Sequence, residues 1–266
     1  MLKRTLDWYP ALADMIRELD SPQFAPALAR ALRQVAPFDY TVIFAYCGED
    51  RPIDLYDDFG SQKRDIFVTV YQAGPYLLDP FFHASRNNVT PGLYRMRDLA
   101  PDRFYQSEYY RSYYIQTGLT EEIGFFLGTG DGARVVISLM RAGHSPAFNA
   151  REMAALHAVA PVVIAAAERN WCGLAQRFEG AQESPPAESA LRQAFAAFGR
   201  HRLTQREGEV VAMVLRGHSS EAIADALRIA PGTVKIHRKN IYAKLGIGSQ
   251  AELFSMFLAS LSGGKA

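Results

Sequence analysis

Residues 232–246, "GTVKIHRKNIYAKLG", carry four cationic side chains, Lys235, Arg238, Lys239 and Lys244, and no acid. Cations at helical spacing with no acidic counterpart are the chemistry of phosphate contact, because each neutralised phosphate releases a condensed counterion. On charge alone the stretch reads equally well as a solvated basic face. A second set of chemistry-bearing residues is Asp79 in "YLLDPFFHASRNNVTPGLY", 76–94, with the tyrosines of "RFYQSEYYRSYYIQTGL", 103–119. A buried carboxylate is expensive unless a donor meets it, so a ligand N–H would complement Asp79. The local alternative is a cap on a turn or helix opened by Pro80. Aromatic walls beside a carboxylate would also suit a small amine through cation–π contact.

Other chemistries find little to work with. Six histidines show no metal-ligand spacing, and no nucleophile elbow occurs, so no catalytic or metal-binding residues and no cofactor are expected. "GTGDG", 128–132, lacks the lysine of a phosphate loop and leads into a strand, so a hairpin turn accounts for it. Cys47 and Cys172 are isolated small apolar residues, as expected in a reducing cytoplasm. Charges interrupt every apolar run that approaches the length of a membrane span, and the N-terminus has no secretion-type apolar core, so a cytoplasmic protein without a membrane partner is expected.

The elements that must position these residues divide at "EGAQESPPAESA", 179–190, which has adjacent prolines, small polar residues and no apolar period. Residues 1–178 are then one domain, 179–190 a linker and 191–266 a second domain. Residues 201–266 hold nine Lys/Arg against five Asp/Glu, whereas 1–200 hold 20 against 23. A basic segment on a mildly acidic body points to a polyanionic partner.

In the first domain, helices over 6–19 and 24–35 lead into apolar strand runs "DYTVIFAY" and "PIDLYDDF". Helical stretches follow over 61–72 and 101–117; in the latter, Tyr105, Tyr109 and Tyr113 would share one face and Tyr110 and Tyr114 another. "EEIGFFLGTGDGARVVISLM" is a hairpin. Asn149 and Glu152 cap a long helix that Pro161 should kink. The two acidic strand ends, Asp50 and Asp57–Asp58, lie too close in sequence for the parallel sheet of a phosphoacceptor domain.

The second domain reads as wholly helical. "TQRE" and "SQAE" are capping boxes, Gly217 and Ser219 mark a tight turn, and Pro231 opens the third helix. Val234, Ile241 and Leu245 form its inward stripe. Ile236, Lys239 and Ala243, flanked by Lys235 and Asn240, face outward, where an isoleucine could touch a thymine methyl and lysines reach guanine or phosphate. Arg238 and Lys244 lie at the sides, as phosphate contacts.

Residues 203–257, with the LT-x-RE opening, the Gly before the second helix, IA-x-x-L and TVK-x-H-x-x-x-I-x-x-KL, resemble the LuxR-type (NarL/FixJ, GerE) helix-turn-helix domain. The resemblance implies a DNA-binding transcription regulator with DNA contacts at Thr233, Lys235, Ile236, Arg238, Lys239, Asn240 and Lys244. It also implies pairing of two subunits through the last helix, where Phe254, Phe257, Leu258 and Leu261 offer apolar surface. Ala230 replaces the family's usual capping Ser, which costs the helix start on the order of 1 kcal/mol.

Asp79-Pro80, Pro91, Tyr94 and the 118–139 hairpin resemble the autoinducer-binding domain of LuxR-type quorum sensors, a GAF/PAS-like α-β-α sandwich with a mostly antiparallel sheet. The implied fold is α+β, this sandwich followed by an all-α four-helix domain. The implied ligand site comprises Asp79, Tyr94 and Ser138; the family's usual Trp and Tyr are replaced, with Ile66 or Phe67 and Val70 or Tyr71 near their positions, and Tyr105 and Tyr109 of the tyrosine-rich stretch are further candidates for the wall. The ligand would be an acyl-homoserine lactone or another metabolite. The competing expectation is a ligand-independent regulator whose first domain only dimerises or binds a protein.

Overall fold

A computed structural model describes residues 2–48, 50–72, 74–112, 114–179, 198 and 202–261. The linker expected over 179–190 lies outside these residues apart from its first position. Helices α1 (Leu2–Arg17) and α2 (Phe24–Val35) precede β1 (Tyr40–Cys47) and β2 (Ile53–Asp57). Next come α3 (Ser61–Arg64), which widens into a π-helical turn over Asp65–Val70, α4 (Pro80–Arg86), β3 (Gly92–Arg95), α5 (Met96–Leu99) and α6 (Glu108–Ser112). β4 (Leu119–Gly128), β5 (Ala133–Ala142), α7 (Ala150–Asn170) and α8 (Gln176–Glu179) complete the first part.

The five strands form one sheet in the order β2-β1-β5-β4-β3, and every adjacent pair is antiparallel. Period-two alternation divides the sheet between two cores. Ile43, Ile123, Phe125, Val135, Ile137 and Leu139 turn to α2 and α7, where Phe24, Leu28, Leu32 and Leu156 are fully buried. Val42, Phe44, Phe126, Val136 and Met140 turn the other way, toward the helical and irregular stretch 61–117. This is the expected sandwich, with β3 as an additional edge strand.

The asymmetry of the two layers follows from sequence. α2 and α7 are long and apolar on one face, and Asn149 with Glu152 closes a full capping box at the start of α7. α7 is helical throughout 150–170 despite Pro161. Contrary to the expectation from charge spacing, its 21 residues meet the length and hydropathy of a membrane span. Its Met153, Leu156, Ala160, Val163 and Ala167 are buried, the last four deeply in the sheet-facing core.

On the opposite side the tyrosine-rich stretch is not the single helix expected. It breaks into a 3-10 turn at Phe104–Gln106, then α6, then a second 3-10 turn at Tyr114–Thr117. Ser107 is extended, and its hydroxyl accepts a hydrogen bond from the Tyr110 amide at 3.1 Å, so it restarts the helix as a cap. Tyr110 and Tyr114 stack at 5.2 Å and so share a face as expected, Tyr105 and Tyr109 do not, and Tyr113 lies outside the described residues. Tyr109 and Tyr114 are buried, whereas Tyr105 is 47% exposed.

Among the described residues four helices follow in the second part: α9 (Gln205–Arg216), α10 (Ser220–Leu227), α11 (Pro231–Leu245) and α12 (Gln250–Leu261). Thr204 and Glu207 make a complete capping box, Ser219 caps α10, and Gly217 takes the left-handed conformation between them at φ 91°. Ala230 caps α11 without a side-chain hydrogen bond, and Pro231 stands in its first turn. Val210, Val214, Ile223, Val234, Ile241 and Leu245 join in a core continuous with that of the first part. Phe254 and Phe257, expected on a pairing surface, are instead buried within the chain, because α12 packs against α6.

One close approach in the sheet constrains sequence directly. A Cβ on Gly124 would stand 2.9 Å from the Phe81 ring. Gly124→Ala should force that ring or β4 to shift and destabilise the chain by about 1–3 kcal/mol, read as a lower urea midpoint with an unchanged slope.

Candidate functional site: an acidic aromatic cavity and a basic helix

The cavity lies between the sheet and the 61–117 layer and is partly open to solvent. Phe67, Tyr71, Asp79, Tyr109 and Ser138, all sequence candidates, line it. The π-helical turn sets Phe67 and Tyr71 inward and leaves Val70 exposed. Two candidates do not reach it. Tyr94 donates to the Thr90 carbonyl at 2.9 Å and packs edge-on against Phe126, which with Phe81 fills the space between Tyr94 and the cavity. Tyr105 stands outside because of the helix break at Ser107.

Asp79 takes the local alternative, a helix cap, and its other oxygen meets a donor from within the chain. Its Oδ1 accepts the Phe81 amide at 2.8 Å, capping α4, and its Oδ2 accepts the Tyr71 hydroxyl at 2.6 Å. Tyr71 in turn meets the Tyr46 hydroxyl at 3.0 Å. Burial pushes the Asp79 carboxyl up to about 6, against the opposing effect of the two hydrogen bonds it accepts.

Glu122 is the residue that sequence reasoning missed. It is 7% exposed, lines the same cavity, and its Oε2 accepts the Tyr114 hydroxyl at 3.1 Å. Burial first, and then the charge of Asp79, push it up to about 8. The signal was in the hairpin register: Gly124 pairs with Ser138 and Glu122 with Met140, so Glu122 and Ser138 share a face. The lining also includes Phe44, Tyr46, Phe81, Tyr114, Thr117 and Met140.

The raised carboxyl of Glu122 carries a stability consequence. A folded-state value above the unfolded one means the native chain holds the extra proton, so the stabilisation is complete at low pH and is lost as pH rises through about 8. His83, buried against the Leu77 carbonyl and pushed down to about 3, acts oppositely as pH falls through the ordinary imidazole range. Between pH 7 and 9 the Glu122 contribution should therefore dominate. Wild type should lose thermal stability across that window and Glu122→Gln should lose less; parallel curves would contradict the assignment.

A direct contact joins the cavity wall to the helix-turn-helix. The Arg103 amide donates to the Gly217 carbonyl at 3.0 Å, and the Asp102 carboxylate accepts the Ser219 amide at 3.1 Å. A Cβ on Gly217 would lie 2.9 Å from the Phe104 Cα. Phe104, fully buried, touches the rings of Tyr109 and Tyr114, both of which line the cavity.

α11 presents its outer face as expected. Lys235, Lys239, Asn240 and Ala243 are exposed, Ile236 is 60% exposed, and Thr233 is half-buried in the first turn. The side positions have internal partners. Arg238 donates to Gln250 at 3.2 Å, and Lys244 bridges both oxygens of the buried Glu207 at 2.7 and 2.8 Å, bracing α11 against the cap of α9. These contacts give Lys244 a structural role apart from the outer face.

A sandwich domain joined to a helix-turn-helix with an exposed basic helix is the architecture of a two-part DNA-binding regulator. Residues 201–257 match the family described as bacterial regulatory proteins, luxR family. A protein of Aeromonas salmonicida described as an HTH-type transcriptional regulator in the exeN 3′ region is 37% identical over 186 residues, covering 69% of this chain and 94% of that one. The chain belongs to the LuxR family of DNA-binding transcription regulators. The LBD domain of VqsR from Pseudomonas aeruginosa is similar in fold, with a TM-score of 0.53 and 29% identity over 61% of this chain and 96% of that domain. The HTH-type transcriptional regulator MalT of Yersinia pestis shares 42% identity over 50 residues, 19% of this chain and 6% of MalT.

Proposed function

We propose that this regulator is controlled by a small molecule held in the cavity at Asp79, and that the contact at 102–104 carries the signal to the helix-turn-helix. The observation that supports this reading is the cavity holding Asp79 and Glu122, whose wall residues Tyr109 and Tyr114 touch Phe104, the neighbour of the Gly217 turn. The similarity to a domain titled LBD, a ligand-binding domain, supports it as well. The chain acts as a dimer on double-stranded DNA in the cytoplasm, with α11 in the major groove and the two half-sites about one helical turn apart.

Lys235, Ile236, Lys239 and Asn240 meet base edges or phosphates, Thr233 the backbone at the helix start, and Arg238 a flanking phosphate. Lys235→Ala and Lys239→Ala should each weaken binding to a duplex selected by the purified chain from random DNA. Each should also reduce the salt slope by about 1, measured by fluorescence anisotropy at several salt concentrations. Equal slopes in wild type and both variants would refute this docking.

Coupling through the contact has its own test. Asp102→Ala removes the acceptor for the Ser219 amide while leaving residues 202–261 unaltered. Free of that tie, the ligand-free chain should bind the selected duplex about fivefold or more tightly; unchanged affinity would place the coupling elsewhere.

The second reading, a ligand-independent regulator, draws on one observation: Asp79 and Glu122 already accept hydrogen bonds from Tyr71, the Phe81 amide and Tyr114 within the chain. In that case Asp79 and Glu122 belong to a polar core. A thermal-shift screen of the intact chain with lactones, amines and aromatic acids separates the two, since only a binding cavity gives a saturable rise.

A further inference from the structure

Two carboxylates face one cavity, and none of its described lining residues is Lys, Arg or His. Both side chains lie in the low-dielectric interior, each 7% exposed, and the charge of Asp79 acts on Glu122. The hydrogen bonds they accept come from phenols, the Ser138 hydroxyl and one amide, which are neutral donors. Full ionisation of such a pair requires positive charge from elsewhere. A single carboxylate would suffice for a neutral N–H donor; the second is what a cation requires.

The surroundings narrow the kind of cation. Calcium and magnesium take six or more oxygen ligands, and zinc is held mostly by Cys and His; two carboxylates and a mostly aromatic and apolar wall without either residue offer too little for these ions. No group of three or more potential metal-ligating side chains occurs among the described residues. Aromatic faces of Phe44, Tyr71 and Tyr114 beside the carboxylates suit an organic cation, and the limited room suits a compact one.

Resting on the small-molecule reading above, we propose that the ligand is a compact aliphatic primary ammonium, its N–H donors shared between Asp79 and Glu122 and its carbon chain laid against Phe44 and Met140. Binding converts a carboxylic acid and carboxylate pair into two carboxylates around a cation, so near neutral pH it releases up to one proton from Glu122. The other titratable groups facing the pair are the phenols of Tyr46, Tyr71, Tyr109 and Tyr114. Burial and the neighbouring carboxylates push those of Tyr71 and Tyr114 well above their ordinary value, which leaves the carboxyls as the proton source.

The test uses the intact chain with n-propylammonium chloride and two neutral counterparts of similar length, n-propanol and N-methylpropionamide. Calorimetry at pH 7 in two buffers of different ionisation enthalpy should give saturable ammonium binding with proton release. Affinity should fall about tenfold or more in Glu122→Gln, which preserves the side chain's shape. Asp79→Asn, still able to cap α4, provides a second charge-removing variant and should lose affinity similarly. Binding of a neutral counterpart with no preference for the ammonium, or unchanged affinity in both variants, overturns the ammonium assignment and leaves small-molecule control standing. No binding of the ammonium also overturns it, and the fate of the broader reading then rests on the thermal-shift screen.

Discussion

The buried carboxylate of Asp79 is the point on which the distal half of the first domain is organised. One oxygen starts α4 where the 3-10 turn of Pro75–Leu78 ends; the other holds the phenol of Tyr71. Those two bonds fix the position of α4 relative to the π-helical turn, and so define the cavity between them. A carboxylate in such a place is costly by itself, and its donors offset only part of that cost. The sheet adds Glu122 instead of a compensating cation, which makes the cavity acidic.

The two faces of the sheet have different characters for the same reason. Against α2 and α7 it meets regular helices with apolar stripes, and the packing is apolar. On the other side it meets short helices and turns rich in aromatic hydroxyl groups. Tyrosines fill space like phenylalanines but require partners for their oxygens, and Asp79 and Glu122 supply two of them. Irregular backbone and buried acids are thus parts of one arrangement.

Much of this was legible in the chain. Capping boxes at Thr204 and Asn149, the left-handed turn at Gly217 and the stripe of Val234, Ile241 and Leu245 are local rules with local causes, and they formed as written. What was not legible depended on partners distant in sequence. The tyrosine stretch has the composition of a helix, but the Ser107 cap restarts it. Tyr94 has the right residue type in the right segment, yet Phe81 and Phe126 stand between it and the cavity. Phe254 and Phe257 looked like a subunit surface because nothing in 250–261 reveals that α6 covers them. Glu122 was hidden for a different reason: an acid in a hairpin reads as solvent-facing until the register is known.

The Gly217 turn bears on how such chains can be recombined. Its missing side chain is occupied by the backbone of Phe104, a residue of the other domain, so the helix-turn-helix carries an imprint of the sensor it is attached to. A helix-turn-helix taken from a relative with any larger residue at that place would not seat on this first domain. The two parts are therefore less interchangeable than their separate sequence signatures suggest, and a hybrid regulator built from them would need to inherit residues 102–104 and 217–219 from the same parent.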